Sequence, residues 1–404
     1  MLLLAFLCVI AGVNYEIDKY GLLRGGRYER QLVETLQAGQ AVAGYDESML
    51  DEREIMRLYI QTMEKKDYIV LGSSRGLQLT QDYVPAGSSF FNLGVSGSDF
   101  RDMLGLYYLL EKNDKLPAHL ILVLDPWLLF NSPDAFSKRS NIELYKEFLA
   151  EGLGLPVEYE KPDYSLQLEA LLSPSIFQEN IRYYFRDRTG EDEPLSAAGN
   201  WYAQDTTLRL PDGSQLYDVK QRSRSQNEID FDALAVVSSA FFRVEDFRSL
   251  DEELTAQLEA FIRHIKAQGV QITFVLTPYH PTTYEIALRD WERFPAFFEM
   301  EDYYRALAKK EGITLYGSFD PDVSGCKSAD FYDGLHIKRE SLYKIFPGFE
   351  GSEIYKKVET IKRMQKNALQ QIEEQRAQGI DEPWMEEFEA ALNLPAKARR
   401  PNTF

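Results

Sequence analysis

The chain is predicted to be an α/β protein: a doubly wound, parallel, five-stranded sheet with a large helical and hairpin insertion. Short apolar runs recur along the sequence, amphipathic helical stretches fall between them, and one long segment interrupts the alternation. An order of this kind requires crossover connections, and so parallel strands with helices on the faces.

The predicted strands are Tyr68 to Gly72, Phe90 to Leu93, His119 to Asp125, Val270 to Thr277 and Ile313 to Tyr316. Their runs of Leu, Ile and Val suit strands covered on both faces. Ser98 opens a helix with Phe100, Met103, Leu104 and Tyr107 on one face. Ser249 and Glu252 have the spacing of a capping box, ahead of a stripe of Leu254, Leu258, Phe261 and Ile265 that Gly269 stops. Pro295 to Lys310 is a further helix, and Arg75 to Gln81 is expected to be helical after the first strand. The long interruption, Asn131 to Arg248, holds helical stretches around Glu143 to Ala150 and Ser175 to Phe185. It also holds a hairpin from Leu208 to Tyr217, turning at Pro211-Asp212-Gly213. An insertion of this length beside a strand end is expected to form a cap or substrate wall.

The expected organisation is an N-terminal segment 1–25, an α/β domain from 45–130 and 249–350, the insertion 131–248, and a polar helical extension 351–404 ending in a basic, disordered tail. Leu2 to Val13 is apolar apart from Gly12. It is short for a membrane span, which takes about 20 residues, and it lacks the basic start of a signal peptide. It reads as the outer end of a membrane anchor whose beginning lies outside this chain, the alternative being a buried N-terminal helix.

The 404 residues carry 45 Lys and Arg against 64 Asp and Glu, a net charge of −19. That balance argues against a nucleic-acid partner, which needs a basic face. Aromatic residues make up 13% of the chain, enough for a carbohydrate-facing groove but equally what a core and its rim use. The two cysteines, Cys8 and Cys326, give no disulfide framework. The scattered histidines show no metal-ligand spacing, His119 and His264 read as structural, and no cofactor is expected.

In doubly wound sheets, ligands sit beyond the C-terminal strand ends. Gly72-Ser73-Ser74, Asn92-Leu93-Gly94-Val95-Ser96-Gly97 and Asp125 all fall at such ends, and Asp333-Gly334-Leu335-His336 follows the last strand. A serine hydroxyl needs a base within hydrogen-bond reach, and the base needs a group that fixes its tautomer. Ser74 would be the nucleophile, His336 the base and Asp333 its orienter. A helix N-terminus at Ser74 and the backbone N–H of Gly97 would favour the developing oxyanion. No glycine-rich phosphate loop accompanies the Gly-Ser-Ser turn, so nucleotide binding is disfavoured.

These blocks resemble the SGNH (GDSL-like) hydrolase superfamily, over about Tyr68 to His336 without the insertion. The family's Gly-Asp-Ser reads Gly72-Ser73-Ser74 here, its Asn-x-Gly-x-x-Gly reads Asn92 to Gly97, and its Asp-x-x-His reads Asp333 to His336. The resemblance implies a flavodoxin-like SGNH sheet, catalytic Ser74, Asp333 and His336, and an oxyanion hole from Ser74 and Gly97. The family's Gly-x-Asn-Asp block is not matched: Pro126-Trp127-Leu128 follows Asp125, so the family's Asn donor is missing at its expected place, where Asn131 could substitute. With the N-terminal anchor and the insertion, the chain is similar to a membrane-anchored branch. That branch contains alginate O-acetyltransferase accessory proteins and the D-alanyl transfer protein of teichoic acid synthesis.

The resemblance implies a serine esterase or O-acyltransferase acting outside the membrane on acylated glycan or another cell-surface polymer, with a membrane-bound O-acyltransferase as partner. The alternative is a non-catalytic scaffold in a polymer-modifying membrane complex. Arg75, Asn92, Asp125, Trp127 and His280 are candidates for the pocket. Arg75 could attract an anionic substrate or pair with a neighbouring acid. Trp127 could stack on a sugar or fill the core, and His280 could line the pocket or be a loop histidine.

Overall fold

The computed structural model describes residues 2–18, 23, 27–43, 52–130, 142–158, 164–186, 195–197, 200–238, 244–346, 367, 370–380, 382, 383, 385 and 386. The chain forms two compact units. The first comprises Met1–Lys65, Arg101–Leu116 and Ser137–Leu216; the second comprises Lys66–Phe100, Pro117–Phe136 and Tyr217–Phe404. Segment 131–248 thus contributes to both. Asn131, residues 351–366 and the tail 387–404 lie outside the described residues, and 370–377 of the expected C-terminal extension is helical.

The second unit is built on a five-stranded sheet of β1 (Tyr68–Leu71), β2 (Phe90–Asn92), β3 (His119–Val123), β4 (Gln271–Leu276) and β5 (Thr314–Gly317). The strand order is β2-β1-β3-β4-β5 and every pairing is parallel. This is the order of flavodoxin-type doubly wound sheets. Ile69, Val70, Leu71, Leu120, Leu122 and Val123 are all buried, successive residues included, as strands covered on both faces require.

The helices of this unit include α1 (Gln226–Ser238), α2 (Glu252–Ala267), α3 (Pro281–Arg289) and α4 (Ala296–Glu311). α2 packs on β4 and α4 on β5. The expected capping box at Ser249 and Glu252 is corrected. Asp251 is the N-cap of α2, its Oδ1 accepting from Leu254 N–H at 2.9 Å. Beneath the C-terminal strand ends Val70, Ile121, Val123 and Val275 form one apolar cluster with Phe331, Ile337 and Ile345.

The first unit contains helix Leu2–Ile17, the crossover helix from Phe100 to Lys112 apart from its first residue, helices Ser165–Leu172 and Pro174–Arg186, and a small antiparallel sheet. Helix Leu2–Ile17 is tied by Asn14, whose buried amide donates to the carbonyls of Ala170, Leu171 and Ser173 at 3.0–3.1 Å and accepts from Asn180 at 3.1 Å. Its 16 residues span about 24 Å at 1.5 Å per residue. Among the described residues no helix is long and apolar enough to cross a membrane. The hairpin is present, with Leu208 opposite Leu216. It extends a sheet in which Ala41–Ala43 pairs with both Leu195–Ala197 and Leu208–Arg209.

Candidate active site

β1 delivers the nucleophile turn. A Cβ on Gly72 would lie 2.7 Å from Val123 Cβ, so only glycine lets the end of β1 lie this close to β3. Ser73 then caps a single 3₁₀ turn, Ser74–Gly76, its Oγ accepting from Arg75 N–H at 3.2 Å. The expected helix from Arg75 to Gln81 is therefore corrected to one turn. Beyond it the chain is tied to β2 by Asn92, whose buried amide donates to Gly76 and Leu79 carbonyls at 2.9 and 3.0 Å and accepts from Gly94 N–H at 2.9 Å. A turn this short carries little macrodipole, which leaves any oxyanion to individual N–H groups.

The segment after β2 is laced to that turn. Leu93 N–H donates to Val70 O at 2.9 Å and Val95 N–H to Gly72 O at 3.0 Å. Ser98 N–H to Val95 O, 3.1 Å, closes a β-turn with Gly97 in its third position at φ 57°, a conformation that favours glycine. The indole of Trp127 donates to Ser98 O at 3.0 Å and is itself buried. Trp127 thus secures the oxyanion-side loop from the far end of β3.

Asp333 and His336 come from a pinned loop. Phe331 and Ile337 are buried and form a bridge, with Tyr332 N–H donating to His336 O at 2.9 Å and Lys338 N–H to Asp330 O at 2.7 Å. Gly334 packs so tightly that a Cβ would lie 2.8 Å from Ala233 Cα on α1 and 3.0 Å from Thr283 Oγ1 on α3. Within the loop, Asp333 Oδ1 accepts from Leu335 and His336 N–H at 2.7 and 2.8 Å. The His336 ring Nδ1 lies 2.8 Å from Asp333 Oδ2, and Nε2 lies 2.9 Å from Ser74 Oγ. Burial would raise the Asp333 pKa. The His336 charge and the hydrogen bonds from His336 and Leu335 outweigh it and hold the carboxyl below its ordinary value. With the ring proton on Nδ1, facing the carboxylate, Nε2 accepts the serine hydroxyl proton.

The remaining sequence candidates are buried around this relay. Arg75 is 1% exposed, with Nη1 2.9 Å from Asp125 Oδ1 and its guanidinium 3.6 Å from the centre of the Tyr279 ring. Burial raises the Asp125 pKa, and the Arg75 charge opposes it. His280 is fully buried. Its Nδ1 accepts from Thr282 N–H at 3.2 Å, capping α3, and its backbone N–H donates to Gly334 O at 3.3 Å. Burial lowers its pKa, against the pull of Asp230 and Asp333.

Two neighbours of the relay carried no signal in the sequence. Tyr217 is half-buried, its ring 5.0 Å from Tyr332 and 6.1 Å, edge to face, from His336. Arg224 pairs with Asp232 at 2.5 Å, and that hydrogen bond, with the charges of Asp232 and Asp333, raises its pKa against the effect of burial. Among the described residues, no group of three or more His, Cys, Asp or Glu is placed to hold a metal ion.

Ser74, Asp333 and His336 thus meet in one relay, and the Gly97 loop runs beside the nucleophile turn. Comparison with protein-family models and with curated proteins gave no match.

Proposed function

We propose that the chain is an SGNH-type serine enzyme, carrying out acyl transfer or ester hydrolysis on O-acyl groups of an extracytoplasmic polysaccharide or other cell-surface polymer. The observation that carries this is the relay, with Ser74 Oγ 2.9 Å from His336 Nε2 and His336 Nδ1 2.8 Å from Asp333 Oδ2. Ser74 Oγ attacks the ester carbonyl carbon while its proton passes to His336 Nε2, and Asp333 stabilises the imidazolium. The backbone N–H groups of Ser74 and Gly97 receive the oxyanion. Collapse expels the alcohol, which takes the proton from His336, and leaves acyl-Ser74. A second hydroxyl, from water or from a polymer, gives its proton to His336 and takes the acyl group, and His336 returns that proton to the departing Ser74 Oγ. In this reading the N-terminal helix anchors the protein at the outer face of a membrane, beside a membrane-bound O-acyltransferase.

A fluorophosphonate probe is expected to label the protein at Ser74, with labelling lost in Ser74→Ala. Equal labelling of the variant would refute the nucleophile. In the same experiment, acetate release from an acetylated glycan is followed with and without an unacetylated acceptor. Partition into acetylated acceptor marks a transferase, and unchanged release marks an esterase. If Ser74→Ala, present at normal levels, still supports surface acylation in cells, the chain is a scaffold and the catalytic reading fails.

A further inference from the structure

The relay joins side chains 262 residues apart, and proton transfer between them tolerates displacements of well under an ångström. Arg75, directly after the nucleophile, is buried and reaches the ends of two neighbouring strands and the loop that carries His336. Its Nη1 donates to Asp125 Oδ1 beyond the end of β3, and its Nη2 donates to Thr277 O beyond the end of β4. Its Nε donates to Leu335 O, the residue before the catalytic histidine, at 3.4 Å. Its flat face lies against Tyr279, 3.6 Å from the ring centre.

We infer that Arg75 is a positioning residue, a planar three-way brace that sets the separation of Ser74 Oγ and His336 Nε2. Charge alone does not do this. Three N–H directions in one plane, aimed at a carboxylate and two carbonyls, are a property of guanidinium that an ammonium lacks. The packing around the brace supports a directional role. Asp125 is fully buried and its backbone carbonyl accepts from Tyr304 OH at 2.9 Å, so the anion that receives Arg75 is itself fixed. Asp125 stands where the resemblance would place the lost Asn-bearing block, and its carboxylate pairs with Arg75.

Only the kinetic arm of the test rests on the serine-enzyme reading. Arg75→Lys keeps the positive charge and loses the fork. A paired variant, Arg75→Met with Asp125→Leu, removes both charges together and avoids leaving one buried alone, an exchange that is often neutral for stability. Crystal structures are expected to show Ser74 Oγ and His336 Nε2 more than about 3.5 Å apart, beyond hydrogen-bond range, in both variants, with the His336–Asp333 contact retained. Fluorophosphonate labelling of the folded variants is expected to slow by about 100-fold, with the probe concentration for half-maximal rate unchanged. A folded Arg75→Lys protein with wild-type relay geometry and labelling rate overturns the inference. If Arg75→Lys does not fold, the paired variant decides by the same two criteria. A wild-type protein that resists labelling at Ser74 refutes the enzymatic reading instead, and the crystallographic distance then judges the brace alone.

Discussion

Asp333 accepts from two backbone amides and lies against the His336 ring, and its carboxyl is held below the ordinary value despite burial. Such a group contributes stability that is fully present above its unfolded pKa, about 3.9, and is lost as the pH falls through the lower folded value. Asp333→Asn is expected to slow fluorophosphonate labelling by roughly 10³–10⁴-fold, because the amide favours the wrong imidazole tautomer. Urea unfolding of wild type and variant should differ at pH 7, with the difference narrowing below about pH 4; a constant difference would deny the linkage. Asp333, His336, Ser74 and Gly97 were legible in the sequence because their spacings are local and each spacing implies a turn. That Arg75 pairs with an acid was one of its two readings, and Asp125 is that acid. Its reach to Thr277 and Leu335 was not legible, because only the folded sheet brings them near.

The five strands were recognisable from their unbroken apolar runs. Their order follows from the crossovers, which keep sequential strands adjacent except where the second lies outside the first. Helix termini were harder to place. Ser249 and Asp251 are both residue types that cap, and the structure uses Asp251 because its carboxylate reaches Leu254 N–H, three residues on. The residues after Ser74 looked helical, but Asn92 captures their carbonyls from another strand. The loop that carries Asp333 and His336 is held between α1 and α3, where Gly334 leaves no space. Gly334→Ala is therefore expected to destabilise the protein by about 1–3 kcal/mol, the usual cost of overpacking, and to slow labelling as His336 is displaced. Urea unfolding together with the probe rate checks both. An alanine variant with wild-type stability and rate would mean that the loop is free to shift.

At the scale of the whole chain, Ser74, Arg75, the Gly97 loop, Asp333 and His336 all belong to the second unit, and the Asn14 tie and the small antiparallel sheet belong to the first. That partition could not be read from the sequence. The three residues Ala41–Ala43 carry no strand signal, and their partners lie more than a hundred residues on. The two thiols report on folding. Cys8 is exposed, while Cys326 is buried and burial pushes its thiol up to about 12. Iodoacetamide at pH 8 is expected to modify one cysteine in the native protein and both in denaturant, read by intact mass; two modifications in the native state would contradict the packing around Cys326. The 262 residues between the nucleophile and its base also order events in time. At about 5–20 residues per second of synthesis, the ribosome adds His336 roughly 13–52 s after Ser74. Throughout that interval the Ser74 hydroxyl has no His336 to pair with, so on the proposed function the nascent chain acquires a reactive serine only once the loop after β5 has been added.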